Sequence, residues 1–371
     1  MKQMQFTAIV LMTLLTLKLS LLPARGTVYP AISKSRWLIA FGTAMLAIHF
    51  LLQMVLDLRA MGITQSVMLN LAMFIPCSYV CSVAMILLQR QGRITKIEKY
   101  VGLVTWCVSM LLLLIACAID GKTLLSDSRE KHVAEVVASA CYSLMLLYYF
   151  WRHLIYMKAM RTTLQNYYDW IMEDSRLRWM QFTILALVSV GLTVPLAIFG
   201  AGKLLVPYGL FFFASIFYFV DSFCSYVQSS IPRKLQEAEE SERSVRSEAM
   251  DNDKQKIDKD TMERIGRLVE QWLKGGGYLQ NGLKMPNAAA EINIPQYLLS
   301  AWLRQKNMKY SEWITDLRIS EAKRIFVEHP DWSNETVALH CGFTDRSYFQ
   351  TIFKKRTGMT PAEYIQTTHE E

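Results

Sequence analysis

Seven apolar stretches in the first 230 residues constrain the fold of this chain more than any other feature. They cover approximately residues 4–22, 37–58, 65–88, 100–119, 133–156, 181–201 and 204–226. Each has about the 20 residues that a helix needs to cross the hydrocarbon core of a bilayer. Repeated apolar runs of this length are typical of membrane proteins. The sequence therefore predicts a seven-helix transmembrane bundle over residues 1–230.

Lysine and arginine in the short loops predict the orientation of these spans, because cytoplasmic loops carry an excess of both. With the C-terminus inside, twelve basic residues lie in inside loops and six lie outside. The inside residues are Arg25, Lys34, Arg36, Arg90, Arg93, Lys96, Lys99, Arg152, Lys158, Arg161, Arg176 and Arg178. The outside residues are Lys2, Arg59, Lys122, Arg129, Lys131 and Lys203. The C-terminal third is therefore predicted to be cytoplasmic.

The first apolar segment has an alternative interpretation. Lys2, the apolar run after it and Leu22-Pro23-Ala24 are also typical of a secretory signal peptide. Cleavage would leave six spans and an outside C-terminus, which contradicts the distribution of basic residues. We therefore expect the segment to be retained as a span.

Three polar residues share one face of the second apolar segment. His49, Gln53 and Asp57 recur at intervals of four residues, so their side chains follow one side of a helix. Polar groups inside a membrane are costly unless they are paired. These three either form hydrogen bonds between helices or line a pocket that senses a signal, and the sequence leaves both interpretations open.

Enzymatic and metal-binding patterns do not stand out in this sequence. Its seven cysteines form no CxxC pair, and no His/Cys spacing indicates zinc. We find neither a protease-like Ser/His arrangement nor the inverted repeat of a transporter. The sequence therefore predicts a protein that is not an enzyme, with no catalytic residues, no metal and no cofactor.

Residues 231–260 differ in composition from the segments on either side. They are rich in charged residues of both signs and nearly free of apolar ones, so they cannot bury enough surface to form a core. We interpret them as a charged linker, which is either an exposed helix or a flexible tether. They lack the sustained apolar seam that would predict a coiled-coil stalk.

Amphipathic helical periodicity resumes at residue 261 and continues to the end of the chain. After a first helix, two short helices flank a turn at 293–295, and a long helix covers about 310–327. A second pair of short helices flanks Gly342, and a last helix begins at Pro361. The expected N-caps of the last three helices are Ser333, Asp345 and Thr360. The sequence thus predicts an all-α protein that ends in two helix-turn-helix units joined by a long helix.

A spaced set of residues in the second unit carries a resemblance to a known family. The set is Ala338, Gly342-Phe343, Ser347-Tyr348-Phe349, Phe353-Lys354-Lys355, Gly358 and Thr360-Pro361-Ala362-Glu363-Tyr364, with Leu317-Arg318-Ile319 and Ala322 in the long helix. Through this set, residues 283–366 resemble the DNA-binding domain of the AraC/XylS family of bacterial transcription regulators. Asn307 stands where that family usually has glycine, and asparagine tolerates the same left-handed backbone.

The resemblance implies that each unit places a recognition helix in a major groove of double-stranded DNA. The outward-facing candidates for base contacts are Gln296, Tyr297, Ser300 and Arg304 in the first unit, and Arg346, Ser347, Gln350 and Thr351 in the second. The candidates for phosphate contacts are Lys354, Lys355 and Arg356. The first 230 residues carry a net charge of +9 and residues 261–371 only +1, against +8 for the whole chain, so DNA binding depends on where these few charges are placed.

The whole chain is thus predicted to be a transcription regulator of the bacterial inner (cytoplasmic) membrane. Residues 1–230 would sense a signal or anchor the protein, and residues 261–371 would bind DNA in the cytoplasm. Residues 231–260 would connect these two domains. The expected partners are double-stranded DNA, membrane lipid and an unknown small-molecule or envelope signal, and oligomerisation is left open. The alternative is a transporter or membrane enzyme with an appended regulatory DNA-binding domain.

Overall fold

A computed structural model describes the protein over residues 2–22, 30–56, 63–121, 128–169, 174–199, 205–251 and 259–370. Within these ranges the chain is helical and contains no strand, as the sequence predicts. The chain divides into two units. The membrane-like unit comprises Met1–Met160 and Ser175–Ser230, and the C-terminal unit comprises Arg161–Asp174 and Ile231–Glu371.

Seven helices coincide with the seven predicted apolar segments. They are α1 (Lys2–Leu21), α2 (Pro30–Val55), α3 (Ile63–Gln89), α4 (Lys96–Asp120), α5 (Arg129–Tyr167), α6 (Asp174–Phe199) and α7 (Leu205–Gln228). Over the described residues, α1 to α5 and α7 are long and apolar enough to cross a membrane. The apolar stretch of α6 among them, Leu177–Leu192, is shorter than a span requires, so the sixth span stays a prediction.

Helix α1 is packed into the membrane-like unit. Ala8, Met12 and Leu19 are fully buried on one side of it. Two polar contacts join α1 to other helices: Lys18 Nζ lies 2.8 Å from Asp221 Oδ1 in α7, and Thr16 Oγ1 lies 2.8 Å from Thr43 Oγ1 in α2. The first apolar segment is therefore an element of this helical bundle.

A charged cluster surrounds the N-terminal end of α4. The Glu98 side chain is fully buried, and Arg152 Nε donates a hydrogen bond of 2.8 Å to it. Arg90 Nη1 lies 3.8 Å from the same carboxylate, and the Tyr156 hydroxyl also donates to it. Arg90 and Arg152, both predicted to lie in cytoplasmic loops, thus pair with the Glu98 carboxylate. They supply the countercharge that a buried carboxylate needs.

The C-terminal unit contains eight α-helices among the described residues. They are α8 (Ile231–Asp251), α9 (Lys259–Lys274), α10 (Met285–Ile292), α11 (Gln296–Gln305), α12 (Tyr310–Glu328), α13 (Asn334–His340), α14 (Arg346–Thr357) and α15 (Pro361–Glu370), with a short 3₁₀ turn at Gly277–Leu279. Helix α12 contributes to two cores. Trp313 and Ile314 pack with α9 to α11, whereas Ile325 and Phe326 pack with α13 to α15.

The N-caps of the last three helices confirm the expectations from the sequence. Ser333 Oγ accepts the amide of Thr336 at 3.1 Å, and Asp345 Oδ1 accepts the amide of Tyr348 at 2.7 Å. The Thr360 amide donates to Glu363 at 2.6 Å, and the Glu363 amide donates back to the Thr360 hydroxyl. Each cap satisfies backbone donors that a helix start leaves unpaired.

Helix α8 shows that the charged segment 231–260 is neither wholly exposed nor, over its first 21 residues, a flexible tether. Ile231, Leu235 and Ala238 are almost completely buried. They lie four and three residues apart, which places them on one side of the helix. The average composition of the segment concealed this short apolar stripe.

Candidate nucleic-acid interface

The first helix-turn-helix unit consists of α10, a turn and α11. Asn293 has a left-handed backbone, with φ of 59°, which asparagine tolerates better than most residues. The amide of Ile294 donates to the carbonyl of Ala289 at 3.0 Å, so the chain reverses tightly after α10. Asn307, which follows α11, has φ of 54°, so the left-handed geometry expected there is also present.

The second unit consists of α13, a turn at Gly342 and α14. Gly342 has φ of 79°, and a Cβ added there would lie 2.3 Å from the carbonyl oxygen of Leu279. Only glycine meets both constraints without displacing the backbone. Phe349 and Phe353 are fully buried, so they fix α14 against α12 and leave its other side outward.

The outward side of α14 is accessible. Arg346, Ser347 and Thr351 are exposed, and Gln350 is half-buried. Lys354 and Lys355 are also exposed at the end of the helix. This face therefore carries both the predicted base-reading groups and two of the three predicted phosphate-binding groups.

Arg356 lies in a different environment from the two lysines. Its Nε is 2.9 Å from Asp316 Oδ1 in α12, and both side chains are partly exposed. One residue corresponds to about 100° of helical turn, so the position after Lys355 faces α12 instead of the outward side. Arg356 is consequently engaged within the unit, which the run of three basic residues did not reveal.

The outward side of α11 is partly covered. Gln296 is half-buried, and its Nε2 donates a hydrogen bond of 2.7 Å to Ser241 Oγ in α8. Tyr297 is half-buried and packs against the core of the first unit, and Ser300 is half-buried as well. Only Arg304 of the four predicted residues is exposed. Helix α8 therefore occupies a position next to the start of the first candidate recognition helix.

The segment that follows α5 enters the C-terminal unit. Asp169 Oδ2 lies 2.9 Å from Arg318 Nη1 in α12, and both side chains are buried. Asp169 also accepts the amide of Leu283 at 3.1 Å, and Arg318 Nε donates to the carbonyl of Tyr278 at 2.9 Å. Sequence reasoning missed this pair because its two members are remote in the chain and neither stands in a charged run.

A second acidic residue, Glu237 of α8, contacts Lys284, which immediately precedes α10, and Tyr168, which follows α5. Lys284 Nζ donates to its carboxylate at 2.8 Å, and the Tyr168 hydroxyl donates at 2.9 Å. The Lys284 ammonium, followed by the Tyr168 and Arg233 hydrogen bonds, holds the pKa of Glu237 below its usual range. Lys309 Nζ in turn donates to Gln165 Oε1 of α5 at 2.8 Å. The first helix-turn-helix unit is thus surrounded by polar contacts to α8 and to the end of α5.

The polar face predicted in α2 is only partly described, because Asp57 lies outside the described residues. Gln53 is buried, and its Nε2 donates a hydrogen bond of 2.9 Å to Asn70 Oδ1 in α3. His49 is also buried, and its ring centroid lies 4.8 Å from that of Phe74. The Gln53–Asn70 contact is an interhelical hydrogen bond, which is the first of the two interpretations.

Across the described parts of the chain, no group of three or more His, Cys, Asp or Glu side chains is placed to hold a metal ion.

Comparison with known proteins identifies the type of the C-terminal domain. Residues 288–367 match a family model described as a helix-turn-helix domain. This match spans both units, and the proteins that share the region are AraC-type transcriptional regulators. The C-terminal domain is therefore an AraC-type helix-turn-helix domain, whereas residues 1–287 lie outside the match.

Two relatives illustrate how much of the chain is shared. The HTH-type transcriptional regulator GadX of Escherichia coli is 37% identical over 76 residues, which are 20% of this chain and 27% of that protein. The regulatory protein PocR of Salmonella typhimurium is 26% identical over 94 residues, which are 25% of this chain and 31% of that protein. The chain therefore spans about a third or less of the length of the relatives it matches.

One solved structure also aligns with part of this chain. It is a DNA-binding transcriptional dual regulator from Escherichia coli, 28% identical, and the alignment covers 28% of this chain and 91% of that one. Its TM-score is 0.26, so it carries no structural argument.

Proposed function

We propose that this protein is a membrane-bound bacterial transcription regulator that binds promoter DNA through α11 and α14 and senses a signal through α1 to α7. The observation that carries the proposal is the open face of α14 within an AraC-type helix-turn-helix domain. Arg346 and Gln350 lie one turn apart on this face, and Lys354 and Lys355 follow on the next turn. The face thus combines side chains that can read base edges with side chains that can hold phosphates.

The chemistry of α14 supports base reading followed by phosphate binding. Arg pairs bidentately with guanine O6 and N7, and Gln pairs with adenine N6 and N7. The residues at the start of a recognition helix are the ones that reach base edges, and Arg346 is the first residue of α14. Lys354 and Lys355 lie between two and three turns after Arg346, where contacts to the sugar–phosphate backbone would fix the register.

Helix α8 covers the start of α11 and could thereby regulate how α11 binds DNA. The Gln296 amide nitrogen carries two N–H donors, and it contacts Ser241 Oγ at 2.7 Å and Met285 Sδ at 3.5 Å, so neither donor is directed to a base in this arrangement. For Gln296 to contact a base, its hydrogen bond to Ser241 in α8 has to break. With α8 in place, α14 is open and α11 offers only Arg304 as an exposed candidate, which would weaken binding at the first half of the site.

The membrane assignment is supported by the surface of α1 to α7. Large apolar side chains such as Leu21, Ile119 and Leu144 are between 67% and 77% exposed. So extensive an apolar surface is unfavourable in water and suited to lipid. The basic residues of the predicted inside loops support the second part of the proposal, a DNA-binding domain on the cytoplasmic side of the inner membrane.

Genome-wide footprinting of the tagged full-length protein tests DNA binding. We expect discrete promoter footprints that Arg346→Ala removes, because that variant should lose about 1–3 kcal/mol at one base position. Arg267→Ala is the matched control, since Arg267 is exposed on α9, outside the helix-turn-helix helices. Absence of footprints from folded wild-type protein would refute the DNA-binding proposal.

Cell fractionation tests the membrane half separately. A C-terminal tag on the full-length chain should be recovered with the inner membrane. In intact spheroplasts the tag should be protected from added protease, and it should become accessible only after lysis. Recovery of the full-length protein in the soluble fraction would refute the membrane assignment and leave DNA binding intact.

A further inference from the structure

A cavity of about 70 Å³ lies inside the membrane-like unit. Residues of α2, α3, α5, α6 and α7 line it. None of the lining residues is Asp, Glu, Lys, Arg or His, and most are Phe, Leu, Val or Ile. It is distinct from the predicted polar face of α2, since His49 and Gln53 do not line it.

The size of the cavity suits a small molecule. A water needs roughly 10–15 Å³ by this measure, so the cavity has room for several heavy atoms. A purely apolar cavity of this kind would bind hydrocarbon without preference for any polar group. The side chains at one edge supply that preference.

Two hydroxyl groups form the polar edge. Ser78 Oγ in α3 and the Tyr142 hydroxyl in α5 lie 2.9 Å apart, and both residues line the cavity. In such a pair one hydroxyl donates to the other, and the accepting hydroxyl keeps its own proton. The pair can therefore donate one hydrogen bond to a bound molecule and accept another. Burial strengthens such a hydrogen bond, because water does not compete for the same groups there.

Gly191 in α6 keeps the space beside Tyr142 open. A Cβ at this position would lie 2.6 Å from Leu146 Cδ1 and 3.5 Å from the Tyr142 hydroxyl. Any larger residue would have to displace Leu146, which lines the cavity. The opening at the hydroxyl pair is therefore created by a glycine and bordered by an aliphatic side chain.

We propose that this cavity is a binding site for a small, uncharged, mainly hydrocarbon molecule with a single hydroxyl group. Charged ligands do not fit, because the lining provides no countercharge for an ion that has lost its water. The apolar walls bind the hydrocarbon part, and the Ser78–Tyr142 pair binds the hydroxyl. The proposal rests on the sensing role given to α1 to α7, for which it names the class of signal.

Calorimetric titration of the full-length protein in lipid nanodiscs tests the site, with empty nanodiscs as the blank. The probes are cyclohexanol and methylcyclohexane, which differ only in a hydroxyl replaced by a methyl group. We expect saturable binding of cyclohexanol to the wild type. Tyr142→Phe should weaken cyclohexanol about 2- to 10-fold, the effect of one hydrogen bond, and leave methylcyclohexane unchanged.

A pair of variants on α5 locates the binding. Leu146→Trp fills the cavity and should abolish binding of both probes, whereas Leu144→Trp places the same side chain at a position 67% exposed and should have no effect. If Leu146→Trp fails to fold, the differential effect of Tyr142→Phe decides the question alone.

Three results would overturn the proposal: no heat beyond the blank for folded wild type, equal binding in folded Leu146→Trp, or an equal response of both probes to Tyr142→Phe. Native mass spectrometry showing a lipid held tightly by the wild type and released by Leu146→Trp would likewise overturn it. A gel shift on the same nanodiscs reports DNA binding separately. Failure of the gel shift with probe binding intact would affect the proposed function only.

Discussion

Asp169 and Arg318 form a salt bridge of 2.9 Å in which both side chains are about 98–99% buried. Asp169 lies two residues beyond the end of α5, and Arg318 lies near the middle of α12. Since α12 contributes to the cores of both helix-turn-helix units, one ion pair connects the chain after α5 to the helix on which the DNA-binding domain is organised.

Removal of the acid should be costly. Asp169→Asn leaves the Arg318 guanidinium buried without its countercharge, for which about 3–5 kcal/mol is expected. The amide of Leu283, which donates to Asp169 at 3.1 Å, should then exchange its hydrogen faster, as hydrogen-exchange mass spectrometry can measure. Asp316→Asn is the control, because its pair with Arg356 is partly exposed and should contribute less than about 1 kcal/mol. Equal protection of Leu283 in both variants would contradict the expectation.

Release of α8 from α11 should strengthen DNA binding. Ser241→Ala removes the acceptor of the Gln296 amide, and one neutral hydrogen bond contributes about 0.5–1.5 kcal/mol, so affinity should rise by about 2- to 10-fold. A gel shift with full-length protein in nanodiscs measures this. Ser244→Ala is the control, since Ser244 is exposed on the same helix and its hydroxyl donates to the Ser241 carbonyl. Unchanged affinity in Ser241→Ala would mean that α8 does not restrict α11.

Removal of a phosphate-binding lysine should weaken binding to all sequences alike. Lys355→Ala should lower the slope of log affinity against log salt concentration by about one charge. Filter binding to the operator and to unrelated DNA over a series of salt concentrations provides both slopes. Lys274→Ala, an exposed lysine at the end of α9, should leave them unchanged. A loss confined to the operator would instead identify Lys355 as a base-reading residue.

Substitution of two glycines distinguishes the energetic cost of a left-handed backbone from the cost of a steric collision. Gly342 and Gly358 both have left-handed backbones, with φ of 79° and 85°, but a Cβ at Gly358 meets nothing within 4 Å. Gly358→Ala should therefore cost only the conformational term of about 1–2 kcal/mol. Gly342→Ala should cost more, because its Cβ would collide with the backbone of Leu279. Thermal unfolding of the two variants gives the comparison, and equal midpoints would exclude the collision.

The contact of Glu237 should disappear in acid. Because Lys284, Tyr168 and Arg233 lower its folded pKa, its stabilising effect is complete above the unfolded value of about 4.3 and is lost as pH falls through the folded value. Wild type should unfold at a higher temperature than Glu237→Gln at pH 7, and the difference should shrink below about pH 4. A difference that persisted at pH 3 would show that the carboxylate charge is not responsible.

Local rules determined much of what the sequence could predict. Apolar length predicted the helices of the membrane-like unit, and the caps at Ser333, Asp345 and Thr360 follow from side-chain chemistry within four residues. The left-handed positions at Asn307 and Gly342 are equally local. The exposed face of α14 followed from the spacing of Phe349 and Phe353 in the same way.

Contacts between distant segments were not predictable in this way. The covering of Gln296 depends on a serine 55 residues earlier, and the Asp169–Arg318 pair joins residues 149 positions apart. Arg356 was predicted to contact phosphate. Its salt bridge with Asp316 of α12 became visible only in the structure, because the sequence does not show which residues of the two helices face each other. The cavity beside Tyr142 depends on five helices meeting, which no single segment encodes.

Helix α5 is long enough to extend well beyond a bilayer core. Its 39 residues give a rod of about 58 Å, roughly twice the thickness of a bilayer core. Tyr142, at the cavity, and Gln165, whose side chain accepts a hydrogen bond from Lys309 Nζ, both belong to this helix. One inserted alanine would turn everything after it by about 100°, and seven would nearly restore the phase.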